Sequence, residues 1–140
     1  MPGVDAELAD AMQKAFKRVL AAAKAAKLPG LEVGTSYGTP ALRVGGKSFM
    51  RMKDPDTMVL LGPMEEKEML MAAAPEVYFE TDHYKGWPAW LVRLAKISDA
   101  ELKHRLECAW RHKAPKGLLA QFDGNAPPKP AKPTRRRTAS

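Results

Sequence analysis

Gly34-Thr-Ser-Tyr-Gly-Thr-Pro-Ala-Leu-Arg-Val-Gly-Gly-Lys47 is the stretch on which the fold turns. Its glycines and proline break the chain into short extended pieces that no helix can accommodate. The Gly45-Gly46 pair supplies the positive φ values that a tight hairpin turn needs. A sheet therefore starts here, and the segments on either side are read outward from it.

Upstream, Leu8, Met12, Phe16, Val19 and Ala23 recur at spacings of four, four, three and four, which puts them on one helical face. Asp5 is the expected N-cap, and the helix should stop near Lys27, where Leu28, Pro29 and Gly30 follow. Lys14, Lys17, Arg18 and Lys24 occupy the opposite face and read as a solvated stripe.

Downstream the period becomes that of strands. Leu31 to Tyr37 reads as a first strand, and Ala41 to Val44 with Lys47 to Lys53 as a hairpin about Gly45-Gly46. Met58 to Leu61 forms a fourth strand after the turn Asp54-Pro55-Asp56-Thr57. In a simple two-residue hairpin register, Leu42, Val44 and Phe49 share a face with Lys47 and Arg51, while Ala41, Met50 and Met52 share the other with Arg43. Neither face is purely apolar, so pattern alone leaves open which one packs on the helices.

A short helix opens at Pro63 with Glu65 and Glu66 in its first turn and closes before Pro75. Val77 to Thr81 and Ala89 to Ala95 read as two more strands. Ser98 with Glu101 forms a capping box for a last main helix carrying Leu102, Leu106, Ala109 and Trp110. Pro115 interrupts it, and Lys116 to Phe122 adds a turn or two. Residues 1–122 are thus expected to form one domain, and 123–140, rich in proline, lysine and arginine without apolar period, a disordered basic tail.

Composition narrows the functional classes. Apolar residues make up 45% and charged residues 28% of 140 residues, a balance that supports one ordinary core without disulfides or a structural metal. A single cysteine, Cys108, and the lack of a long apolar run point to an unexported cytoplasmic chain with no membrane partner. Of the net charge of +7, Lys129, Lys132, Arg135, Arg136 and Arg137 against Asp123 place +4 in residues 121–140, leaving the first 120 residues mildly basic. A polyanion partner is permitted by this charge and not demanded by it.

Few residues are equipped for covalent chemistry. His104, Cys108 and His112 are spaced four apart on one helical face, but about 12 Å of axial rise separates the outer pair, too far for one metal ion. Phosphate-binding glycine loops, nucleophile elbows and paired zinc ligands are missing. The expectation is a protein that is not an enzyme, with no cofactor and no metal.

Binding candidates are richer. The loop His83-Tyr-Lys-Gly-Trp-Pro88 combines an imidazole, the cation Lys85, the rings of Tyr84 and Trp87, and a glycine that allows close backbone approach. That mixture suits phosphate contact together with base stacking, although the same rings could plug the rim of the core. Arg43, Lys47 and Arg51 surround the first hairpin, where cations either meet phosphates or protect a sheet edge.

Three segments carry a family resemblance. Gly34 to Lys47, His83 to Pro88 leading into Trp90-Leu-Val-Arg-Leu94, and Ala109-Trp-Arg-His-Lys-Ala-Pro-Lys116 together resemble the MmcQ/YjbR family of small bacterial proteins, over about Leu8 to Leu119. The resemblance implies an α+β domain of the CyaY-like type, an antiparallel sheet flanked by helices, and carries a DNA-binding label with a "double wing" of hairpin-like elements. No established enzymatic activity comes with it. The resulting expectation is a monomeric DNA-binding protein using Arg43, Lys47 and Arg51 on one wing and His83, Tyr84, Lys85 and Trp87 on the other, with Lys113 and Lys116 on the nucleic-acid backbone. The alternative is a protein-protein interaction or chaperone-like module, for which the eight methionines would form an adaptable apolar contact.

Overall fold

The computed structural model describes residues 2–124, with side chains from residue 7 onward. Helix α1 (Pro2–Ala25) leads into strands β1 (Glu32–Ser36), β2 (Thr39–Val44), β3 (Lys47–Asp54) and β4 (Thr57–Leu61). Helix α2 (Met64–Ala73) follows, then β5 (Tyr78–Phe79), β6 (Ala89–Arg93), α3 (Asp99–Lys113) and α4 (Lys116–Gly124). All strand pairings are antiparallel, in the order β1-β2-β3-β4-β6-β5. This is the α+β architecture expected, helix first and sheet second.

One face of the sheet carries the main core. Leu42 pairs with Met50, Met50 with Leu60 and Leu60 with Trp90, and a second row runs from Met52 through Met58 and Val92 to Tyr78. These side chains pack against Phe16, Val19 and Ala23 of α1 and Leu102, Leu106 and Trp110 of α3. Trp110 is fixed further by its indole N–H, which donates to the Pro29 carbonyl at 3.1 Å.

The sequence left the faces of the β2–β3 hairpin undecided, and a bulge resolves them. Leu42 is opposite Met50, yet Arg43 is opposite Ser48, so Phe49 is an extra residue in β3. A bulge turns two successive side chains toward the same side. Phe49 and Met50 both enter the core, while Arg51 moves to the opposite face with Arg43 and Ala41. The simple register, which had Met50 and Arg43 on a common face, is corrected by this one residue.

Other departures are local. Helix α1 begins at Pro2, so Asp5 lies inside it rather than capping it, and Leu8 is exposed rather than part of the core face. Pro63 is the N-cap of α2 and not its first residue. The strand expected over Val77 to Thr81 shortens to two residues because Asp82–Tyr84 winds into a 3-10 turn. Of the expected capping box only the Ser98 half is formed, its hydroxyl accepting from the Glu101 N–H at 3.1 Å, while the Glu101 carboxylate engages Tyr78 and Arg105. Helix α4 continues to Gly124, and the expected basic tail lies outside the described residues.

Candidate nucleic-acid interface on the open sheet face

The second face of the sheet is left without a helix among the described residues, and a smaller apolar cluster of Val59, Tyr84, Ala89 and Leu91 lies on it. Above this cluster is a cavity of about 460 Å3. Val59, Leu61 and Ala89 belong to its floor, and Tyr37, Tyr84 and Trp87 to its walls. Ser36, Ser48, Arg51 and His83 supply its polar groups.

Two hairpin-like connections set the walls. The first is the turn between β1 and β2, where Tyr37 and Gly38 both have positive φ (53° and 80°). That combination suits a two-residue turn whose twist matches the flanking strands. It puts a tyrosine in a conformation that disfavours a side chain, and leaves the residue 91% exposed at the tip. The second is the segment Glu80 to Pro88, in which Tyr84 is buried and Trp87 is 64% exposed. The two rings of this loop therefore divide the roles that the sequence left open, Tyr84 plugging the sheet and Trp87 facing solvent.

The loop is tied down from beneath by Lys67 of α2, which is only 1% exposed. Its ammonium donates to the carbonyls of Tyr84 and Trp87, each at 2.8 Å, and pairs with the Glu80 carboxylate at 2.7 Å. Three N–H donors thereby meet three acceptors, which makes the burial of a lysine tolerable. In addition, the Gly62 N–H donates to the Pro88 carbonyl at 3.1 Å. Gly62 is itself required by close packing, since a β-carbon there would come within 2.6 Å of the Trp90 ring.

Arg51 sits between the two walls. Its guanidinium donates to the Tyr84 hydroxyl and lies 5.2 Å from the centre of the Tyr37 ring. Among the described residues no carboxylate pairs with it. His83 approaches the Tyr84 ring edge-on, with ring centres 4.9 Å apart.

Of the nine residues expected to bind, the cavity gathers four: Arg51, His83, Tyr84 and Trp87. Lys85 is exposed on the same loop but is not part of the lining. Arg43 is on the open face but committed to its own hairpin, donating to the Gly46 carbonyl at 2.7 Å. Lys47 follows the Gly45-Gly46 turn, which packs so closely on Pro115 that a β-carbon at Gly45 would come within 2.9 Å of its ring. The hairpin of Lys47 thus meets the α3–α4 junction that bears Lys113 and Lys116. These cations form a second group, apart from the cavity lining.

The histidine and cysteine face of α3 shows one close pair, with the Cys108 sulfur 3.7 Å from His104 Nε2. Burial pushes the Cys108 thiol above its ordinary pKa, and burial followed by the Lys113 charge pulls His112 below its own. No group of three potential metal ligands occurs among the described residues. The methionines proposed as a contact surface are chiefly core, with Met50, Met52 and Met58 fully buried and Met64 and Met69 of α2 exposed.

Tyr37, Lys67 and Glu80 are the site residues that sequence reasoning missed. Gly38 after Tyr37 was a usable turn signal. Lys67 stands among Glu65, Glu66 and Glu68 and carries no local mark of burial.

Comparison with known proteins gives a family and no described activity. A YjbR family profile matches residues 26–112. The uncharacterized proteins Mb2600 of Mycobacterium bovis and Rv2570 of Mycobacterium tuberculosis are each 45% identical over 60 residues, covering 43% of this chain and 46% of the relative. The chain thus spans less than half the length of these curated relatives. No solved structure matches significantly. Among the described residues, no helix is long and apolar enough to cross a membrane.

Proposed function

Because the chain belongs to the YjbR family, we propose that it is a non-catalytic DNA-binding domain whose contact surface is the open face of the sheet. The observation that carries this reading is the pair of exposed aromatic residues, Tyr37 and Trp87, that line a cavity together with Arg51, a cation with no carboxylate partner among the described residues. Aromatic platforms beside a cation are what sequence-tolerant nucleic-acid surfaces are made of, because every base has a π-face and every linkage a negative charge. Lys47, Lys113 and Lys116 add charge at the neighbouring hairpin and helix junction and serve as backbone contacts, which position a polyanion without choosing its sequence.

Binding of labelled DNA by the full chain and by a chain ending at Gly124, measured across a salt series, tests the reading. The shortened chain is expected to bind at low salt and to release as salt rises. Failure of the shortened chain to bind either single or double strands at low salt would remove the proposal, since the basic tail would then account for any attraction.

A further inference from the structure

The nucleic-acid reading leaves open which form of DNA the surface takes, and the cavity bears on it. In a duplex both faces of every base are covered by stacking, and only backbone and groove edges are available to a protein. A single strand can turn a base outward and lay it on a ring. Tyr37 and Trp87 both line a concavity of the size of a small ring system and are both open to solvent.

We infer that this cavity captures one unpaired base of single-stranded DNA, so that strand state decides what the face binds. The inference rests on the nucleic-acid reading above. The floor of Val59, Leu61 and Ala89 offers a base apolar contact without a donor and acceptor pattern, and the polar atoms near it are few. Capture is therefore tolerant of base identity. Arg51, without a carboxylate partner among the described residues, meets the phosphate beside the captured base.

The frame for this capture is already rigid. Lys67 fixes the Trp87 loop through two carbonyls and Glu80, and the tight β1–β2 turn sets the backbone of Tyr37. A surface ordered before binding loses little conformational freedom on contact. Tyr37 in the left-handed region also fits, because strained backbone of this kind clusters at ligand-binding sites.

The test uses the full chain with a single strand of about 12 nucleotides, within the span such surfaces cover, and with its duplex. Trp87 is the exposed tryptophan, Trp90 and Trp110 being buried, so the quenching of tryptophan emission reports on the cavity. Single strand should bind at least tenfold more tightly than duplex and quench the emission. Trp87→Ala should weaken single-strand binding roughly 5- to 150-fold, as expected for one stacked base, with Trp87→Phe restoring most of it. Tyr37→Asn, which removes the ring and suits the left-handed turn, should weaken it similarly. Both variants should weaken single-strand binding more than duplex binding, since the backbone contacts of Lys47, Lys113 and Lys116 serve both forms.

Equal affinity for the two forms, or single-strand binding unmoved by Trp87→Ala and Tyr37→Asn, would overturn the inference while leaving DNA binding standing. Absence of binding to both forms would instead overturn the reading beneath it. Near-ultraviolet circular dichroism of each variant identifies a loss caused by unfolding, and whichever of Trp87→Ala and Tyr37→Asn stays folded then carries the comparison.

Discussion

Lys67 shows how a single residue can organise a site without touching the surface. Its ammonium has three partners and almost no exposure. Replacing it with methionine keeps the volume but leaves Glu80 and two carbonyls without their donor. Because Glu80 retains partial exposure, the loss is expected to be about 2–4 kcal/mol rather than the larger cost of a fully enclosed charge. Urea unfolding of Lys67→Met should show a lower midpoint, and an unchanged midpoint would mean that the loop is held by other contacts. Tyr78 gives a second test at this scale. Burial, then its hydrogen bond to Glu101 and that carboxylate's charge, hold the Tyr78 phenol well above its ordinary pKa, with Arg105 opposing and Glu66 adding to the effect. A raised pKa means that the folded state keeps the proton longer. The associated stability is complete below the ordinary value of 10.0 and is lost as pH rises beyond it. Unfolding free energy measured between neutral pH and strong alkali should therefore fall above that value, and fall less steeply in Tyr78→Phe.

At the scale of elements, the succession of helices and strands along the chain was legible because it depends on local chemistry. Gly45-Gly46, the Ser98 N-cap and the Asp54 to Thr57 turn each act over a few residues, and each is where the sequence placed it. The bulge at Phe49 was not legible, because it answers to the packing of two faces at once. Without it Arg51 would be assigned to the wrong company, and the cavity could not have been drawn. The burial of Lys67 was hidden for a similar reason, its partners lying 17 and 20 residues away in sequence. Gly62 belongs here too, since it lets β4 pass beside Trp90 just before the chain enters α2. Gly62→Ala would push a methyl group to within 2.6 Å of that ring, and overpacking of this kind costs about 1–3 kcal/mol. Thermal unfolding should show the loss, whereas Gly46→Ala, with nothing nearby, should show only the smaller backbone cost of its φ of 80°.

For the molecule as a whole, the two faces of the sheet divide the work. One buries the core against α1 and α3, and the other carries a small apolar cluster, two displayed rings and a cation. The formal charge of +7 makes electrostatic attraction to any polyanion a background against which the cavity must be distinguished. Salt dependence separates them. For a single strand the logarithm of affinity should fall linearly with the logarithm of salt, and Arg51→Gln should reduce the slope by about 0.7, the share of one phosphate. An unaltered slope would place Arg51 outside the contact.

The most direct measurement of the central claim is a map of backbone amide shifts by NMR as single-stranded DNA is added to the full chain. The account expects the largest changes at Ser36, Tyr37, Ser48, Arg51 and His83 to Trp87, with α1 and the buried face of α3 unmoved. Changes confined to residues 125–140, or centred on α1, would contradict it.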